Sequence, residues 1–214
     1  MKKISTILFD FDGTLMDTND IIIESWQYMF KAVEGKERPI EDIIKTLGEP
    51  LTLTMKNTFP DMEIEDYASI YRGFQREKFE EAVKPFPGMS ELLAELKEKG
   101  YKLGLVTSRL TRSTNHGLDK YELTKYFDVI VTADDTEKHK PDPEPVYIAL
   151  EKLNSKAEES LMIGDTRFDI LCARNAGVKS VLVDWSVALP KESRVGEHAP
   201  DYVIETAKGL FDIL

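Results

Sequence analysis

Cysteine is almost absent. The 214 residues hold one, Cys172, so no intrachain disulfide framework can form. It falls among apolar residues in a helix-like stretch and is expected to be a plain buried thiol. Histidine is scarce, and His116 and His198 stand at no ligand spacing; they are read as ordinary helix and loop residues. Long apolar runs are missing. None nears the roughly 20 residues of a membrane span, and the apolar stretch after Lys2 and Lys3 runs at once into acids, unlike a secretory signal. A cytoplasmic protein with no membrane partner is expected. Positive charge is in deficit: 28 Lys and Arg against 39 Asp and Glu give a formal net charge of −11. Such a field disfavours nucleic acid and anionic membrane, although a local basic pocket stays open. The acidic surface marks no interface, so monomer or weak dimer is expected. There is no internal repeat and no low-complexity tract.

What remains is an ordinary globular composition, 42% hydrophobic and 31% charged, long enough for one or two domains with a real core. Five short apolar runs, at 4–9, 102–106, 128–131, 160–163 and 179–183, read as strands. Their apolar character is continuous rather than alternating, as in a parallel sheet covered on both faces. Helix-like stretches separate the last four. Residues 89–99 put Leu92, Leu93 and Leu96 on one face and stop at Gly100. Residues 142–153 open with Asp142-Pro143, an N-cap and a first-turn proline, and 168–175 ends at Gly177. This alternation predicts βαβ units: an α/β fold with a doubly wound, Rossmann-like parallel sheet.

Residues 17–82 break that rhythm. Ile22, Trp26, Met29, Phe30 and Val33 follow helical spacing, as do Tyr67, Ile70, Tyr71 and Phe74. Pro39 and Pro50 mark helix starts or breaks, and Asp17-Thr18 an N-cap. The expectation is an inserted α-helical bundle, a cap of residues 15–84, on a core of residues 1–14 and 85–214. The aromatic stripe is read as the cap's own core. The return segment Lys84-Pro85-Phe86-Pro87-Gly88 is stiff and suits a hinge.

Four polar clusters each follow an apolar run: Asp10-Phe11-Asp12-Gly13-Thr14, Thr107-Ser108-Arg109, Lys140-Pro141-Asp142-Pro143 and Gly164-Asp165-Thr166-Arg167-Phe168-Asp169. Singly, each has a bland reading as a turn, a helix cap or a solvated lysine. Jointly they fall at strand carboxyl ends, where open parallel sheets bind ligands. Asp10, Asp165 and Asp169 would gather negative charge in a partly dry place, which calls for a cation. All-oxygen ligands favour a hard ion such as Mg2+. Thr107 offers a hydroxyl and Lys140 a positive charge, a cradle for phosphate oxygens. Asp10 and Asp12 lie two apart on an extended chain and can face one phosphorus. Separate environments would let one stay ionised as nucleophile while the other holds a proton.

These motifs together resemble the phosphatase branch of the haloacid dehalogenase superfamily over nearly the whole chain, with the inserted helices matching its helical cap. The resemblance implies that Asp10 is a nucleophile forming an aspartyl-phosphate and Asp12 the acid and base. It implies phosphate binding by Thr107, Ser108 and Lys140, with Lys140 steadying Asp10. It implies a Mg2+ site of Asp10, the Asp12 carbonyl and Asp165, with Asp169 orienting metal-bound water.

Within that branch, Asp12 argues against the dehalogenases, which lack the second aspartate. The stretch Thr46-Leu47-Gly48-Glu49-Pro50-Leu51 has no arginine of the kind the phosphosugar mutases carry in their cap loop. It resembles the cap loop of phosphoglycolate phosphatases and small bacterial pyrophosphatases, as do Tyr71-Arg72-Gly73-Phe74 and Asn115-His116-Gly117-Leu118. The expected substrate is a small phosphorylated metabolite or pyrophosphate, with Gly48, Glu49 and Arg72 as cap specificity residues. Glu49 departs from the pattern: its carboxylate would repel an anionic leaving group, or else recruit a cation or bind an amine or hydroxyl. Arg109 and Arg72 are read as exposed rather than touching a leaving group. A phosphosugar mutase and a non-catalytic binder of phosphometabolites are the competing readings.

Overall fold

The computed structural model describes residues 3–61 and 63–214. Met1 and Lys2, the start of the stretch compared with a secretory signal, lie outside the described residues. At the centre is β1 (Thr6–Phe9), four buried residues paired in parallel with β4 (Lys102–Val106) on one side and β6 (Ser160–Gly164) on the other. β5 (Val129–Val131) extends the sheet beyond β4, and β7 (Lys179–Val183) and β8 (Tyr202–Ile204) extend it beyond β6. The order β5-β4-β1-β6-β7-β8 is the doubly wound arrangement, whose direction of winding reverses beside the first strand.

Both faces are covered, which explains the unbroken apolar runs. Ile7 and Phe9 face a core shared with Leu92, Leu93 and Leu96 of α5 (Met89–Glu98) and Leu118 of α6 (Thr111–Lys120). Leu8, between them, points the other way, against Val146, Ala149 and Leu150 of α7 (Glu144–Lys152) and Cys172 and Ala173 of α8 (Arg167–Asn175). Cys172 is buried, as read, and its thiol donates to the Asp142 carbonyl at 3.1 Å.

Among the described residues, four helices fill the insertion: α1 (Asn19–Glu34), α2 (Ile40–Ile44), α3 (Leu51–Thr58) and α4 (Ile64–Ala82). They pack around Trp26, Met29, Phe30, Met55, Phe59 and Tyr71, a cluster separate from the two on the sheet. The aromatic stripe is therefore core, with one exception. Phe74 leaves the cluster, stacks on Tyr28 at 4.6 Å and packs on the sheet's core. Pro39 and Pro50 occupy the N-cap positions of α2 and α3.

Three local expectations are corrected. α7 begins at Glu144, not at the Asp-Pro pair: Asp142 donates its N–H back to His139, and its carboxylate accepts from the Glu144 N–H at 3.0 Å. Thr18 stands at the N-cap of α1, but its hydroxyl makes no cap bond; it accepts from the Gly13 N–H at 3.2 Å. The insertion is entered and left through a two-stranded antiparallel pair, β2 (Met16–Asp17) with β3 (Lys84–Pro85), where the sequence suggested no strand.

Candidate active site

Asp10 emerges from β1 with its N–H donated to the Ile163 carbonyl of β6 at 2.8 Å, at the point where the winding reverses. Lys140 arrives from the segment before α7. Its ammonium donates to Asp10 Oδ1 at 2.6 Å, to Asp169 Oδ1 at 2.6 Å and to the Val106 carbonyl at 3.3 Å. An ammonium has three protons, so this one is fully engaged. The second Asp169 oxygen accepts from the Thr166 N–H at 3.0 Å and hydroxyl at 2.7 Å, closing the capping box of α8. Asp165 Oδ2 accepts from the Ser186 hydroxyl at 2.5 Å, while Asp165 Oδ1 is buried without a partner among the described residues.

Asp10, Asp165 and Asp169 are each at most 5% exposed. They offer one oxygen apiece, all within 4.8 Å of one another. Three carboxylates face one ammonium in a dry place. Burial, with Asp169 and Asp12 adding repulsion against the pull of Lys140, pushes Asp10 up to about 7. Burial, then Asp169 and Asp10, lifts Asp165 well above the usual carboxylate range. Burial works against the Lys140 charge, but Asp10 and Asp169 outweigh it and hold the lysine protonated beyond its ordinary range. Excess negative charge, all-oxygen donors and one unpaired buried oxygen fit a hard divalent cation.

Asp12 lies outside this group. Its carboxylate accepts from Arg109 Nη1 at 2.8 Å. The other arm of that guanidinium donates to Gln75 Oε1 of α4 at 3.2 Å, so Arg109 ties the core loop to the inserted helices. Arg109 is not the exposed arginine expected: its side chain is 9% accessible, between the Phe11 and Phe79 rings at 5.5 Å from each. Its Nε and the Ser108 hydroxyl are buried with no partner. Thr107 is held by its N–H to Val131 at 3.0 Å and accepts from the Arg109 N–H at 3.1 Å.

Above this floor is a cavity of about 890 Å³. Asp10, Asp12, Thr107, Ser108 and Lys140 line its base, and Gly48, Glu49 and Arg72 line its wall from the insertion. Gly48 has φ of 90°, and a Cβ there would sit 2.8 Å from Thr166, so the loop presses on the start of α8. The charged groups of Glu49 and Arg72 are both engaged by neighbours. Glu49 accepts from the Thr54 hydroxyl at 2.9 Å and lies 3.9 Å from Arg167. Arg72 donates to Glu65 at 3.0 Å.

Residues 7–183 match the model of haloacid dehalogenase-like hydrolases. The chain belongs to that family. A protein of Caldanaerobacter subterraneus subsp. tengcongensis carrying the name PpaX is 45% identical over 212 residues, 99% of this chain and 95% of its own. The pyrophosphatase PpaX of Bacillus mycoides is 38% identical over 99% of this chain and 97% of its own. Among solved structures, the haloacid dehalogenase-like hydrolase SP0104 of Streptococcus pneumoniae superposes with a TM-score of 0.85 at 26% identity, covering 100% of this chain and 99% of that one.

Among the side chains that went unread in the sequence are Gln75 and Ser186, bonded to Arg109 and Asp165, and Asn19, whose amide donates to Ser186 at 2.7 Å. Gln75 sits one residue past the Tyr71–Phe74 stretch, on the same helix. Asn19 follows Thr18 at the start of α1. Ser186 lies in a loop beyond β7, and no spacing singles it out.

Proposed function

We propose that this chain is a Mg2+-dependent phosphohydrolase of small phosphate anhydrides and esters, with pyrophosphate foremost, acting in the cytoplasm through an aspartyl-phosphate on Asp10. The observation that carries the reading lies at and just beneath the base of the cavity: Asp10 and Lys140 line it, Lys140 is clamped between Asp10 and Asp169, and Asp165, with one buried oxygen unpaired, lies within 4.8 Å of both carboxylates. The two PpaX relatives, matched end to end, favour pyrophosphate over other small phosphates.

In this reading Asp10, the Asp12 carbonyl and Asp165 hold Mg2+, with Asp169 behind them. When bound, the ion offsets charge on the phosphate oxygens and holds the phosphoryl group beside Asp10. Lys140 pulls Asp10 toward its ionised form against burial and the neighbouring carboxylates, and Thr107 and Ser108 bind the phosphate oxygens. The Asp10 carboxylate attacks phosphorus; the bond to the leaving oxygen breaks, and Asp12 gives that oxygen its proton. Asp12, now ionised, takes a proton from the water that attacks the aspartyl-phosphate, which frees phosphate and restores Asp10. Residues 15–84 act as the cap over residues 1–14 and 85–214, with Gly48, Glu49 and Arg72 facing the leaving group.

The test is phosphate release with Mg2+ from pyrophosphate, phosphoglycolate, p-nitrophenyl phosphate and sugar phosphates, with Asp10→Asn as control. Pyrophosphate should lead, and Asp10→Asn should lose at least about 10³-fold. Release undiminished in Asp10→Asn would refute the reading. Phosphoglycolate in the lead would keep the chemistry and change the substrate.

A further inference from the structure

Among the buried oxygens of the carboxylate cluster, those of Asp165 are divided most sharply. Oδ2 accepts a short bond from Ser186, and Oδ1 has no partner among the described residues. A serine hydroxyl has one proton, and here it goes to Asp165. Its lone pairs are used as well: the hydroxyl accepts from Asn19 Nδ2 at 2.7 Å and from the Ala188 N–H at 3.3 Å. The bond directions are therefore fixed along the whole chain, from Asn19 to Ser186 to Asp165. All three residues are buried, at 7%, 9% and 2% exposure.

The relay spans the two parts of the fold. Asn19 is the first residue of α1, the helix that opens the insertion, whereas Ser186 and Asp165 follow β7 and β6. Gly13 is wedged against the same group: at φ of 69°, a Cβ on it would lie 1.9 Å from Asp165 Oδ2 and 3.0 Å from Asn19 Oδ1. Thr18, beside Asn19, accepts from the Gly13 N–H. The start of α1 is thus packed onto the loop that carries Asp10 and Asp12 and bonded, through Ser186, to Asp165.

Resting on the cation site proposed above, we infer that Ser186 and Asn19 are positioning residues for Mg2+: by tying Asp165 Oδ2 they leave Oδ1 aimed at the ion, and they couple its binding to the first helix of the insertion. Partners of this kind that orient a metal-binding carboxylate are each worth about 10- to 100-fold in affinity. A hydroxyl that only filled space would carry no such dependence.

The test is Mg2+ titration of the full chain without substrate, by calorimetry and by the Mg2+ concentration that half-saturates thermal stabilisation. The variants are Ser186→Ala, Ser186→Thr, Asn19→Ala and Asp165→Asn. Ser186→Ala should weaken Mg2+ binding about 10- to 100-fold. Ser186→Thr, which keeps the hydroxyl, should recover most of that loss, and Asn19→Ala should weaken binding in the same direction. A purely structural role would lower Tm equally with and without Mg2+ and leave the half-saturating concentration unmoved. That result, with binding abolished in Asp165→Asn, would overturn the relay and leave the cation site standing. Unchanged Mg2+ binding in Asp165→Asn would instead overturn the cation site itself.

Discussion

Asp10 and Asp12 are two residues apart, and their partners differ completely. Asp10 faces an ammonium that it shares with Asp169, and Asp12 faces a guanidinium that it shares with Gln75 of α4. Distinct partners give two like groups distinct surroundings, which is the condition for distinct roles. The Asp12 side has a direct test. Arg109→Ala removes one charge-assisted bond and a contact between loop and inserted helices; kcat/KM for pyrophosphate should fall about 10- to 100-fold. Arg109→Lys should recover only part of it, because an ammonium cannot fork between Asp12 and Gln75. Steady-state phosphate release by the two variants checks this, and equal rates for wild type and Arg109→Ala would refute it. The aspartate pair was legible in sequence because it directly follows the apolar run of β1, and both residues line the base of the cavity although the chain turns after Asp10. The Ser186 contact was not, since it joins residues 21 apart from Asp165 and 167 apart from Asn19 through loops that no pattern constrains.

At the scale of elements, double-sided burial made the sheet readable. β1, β4, β6 and β7 are nearly all buried, and each stood out as an unbroken apolar run. β8 did not: its first residue is half-buried, its second is 48% exposed, and it spans three residues in all. β2 and β3 are two residues each, and their pairing is a property of the closed insertion rather than of either segment. Helical periodicity marked α1 and α4 well, and their packing is mutual. Trp26 of α1 stacks on Phe30 at 5.6 Å and meets Tyr71 of α4 edge-on at 5.4 Å. Trp26→Ala should remove about 3–5 kcal/mol of stability, read by urea denaturation. A change below about 0.5 kcal/mol, the size of a surface effect, would mean that this helical cluster holds nothing together.

For the whole molecule the dominant fact is charge. A chain of net −11 buries three carboxylates beside one lysine, and that burial, with repulsion among them, has a pH signature. Asp10 is raised from an ordinary 3.8 to about 7. A carboxylate raised on folding contributes stability that is full below its ordinary range and lost as pH rises through the raised value. In chelator, wild type should therefore lose stability relative to Asp10→Asn between pH about 4 and about 7. Mg2+ should reverse the trend, stabilising wild type by about 2.7 kcal/mol at a hundredfold excess over its Kd. Thermal melts of both proteins across that range, with chelator and with Mg2+, check the sign; a wild type that gains on Asp10→Asn as pH rises in chelator would contradict it.

In the proposed reaction the carboxylate of Asp10 takes the phosphoryl group. Its most direct test is a rapid acid quench during turnover of pyrophosphate, followed by peptide mass spectrometry. One added phosphoryl group is expected on the peptide carrying Asp10, absent without Mg2+ and absent in Asp10→Asn. Phosphate released with no adduct at any quench time, or an adduct on another residue, would contradict it.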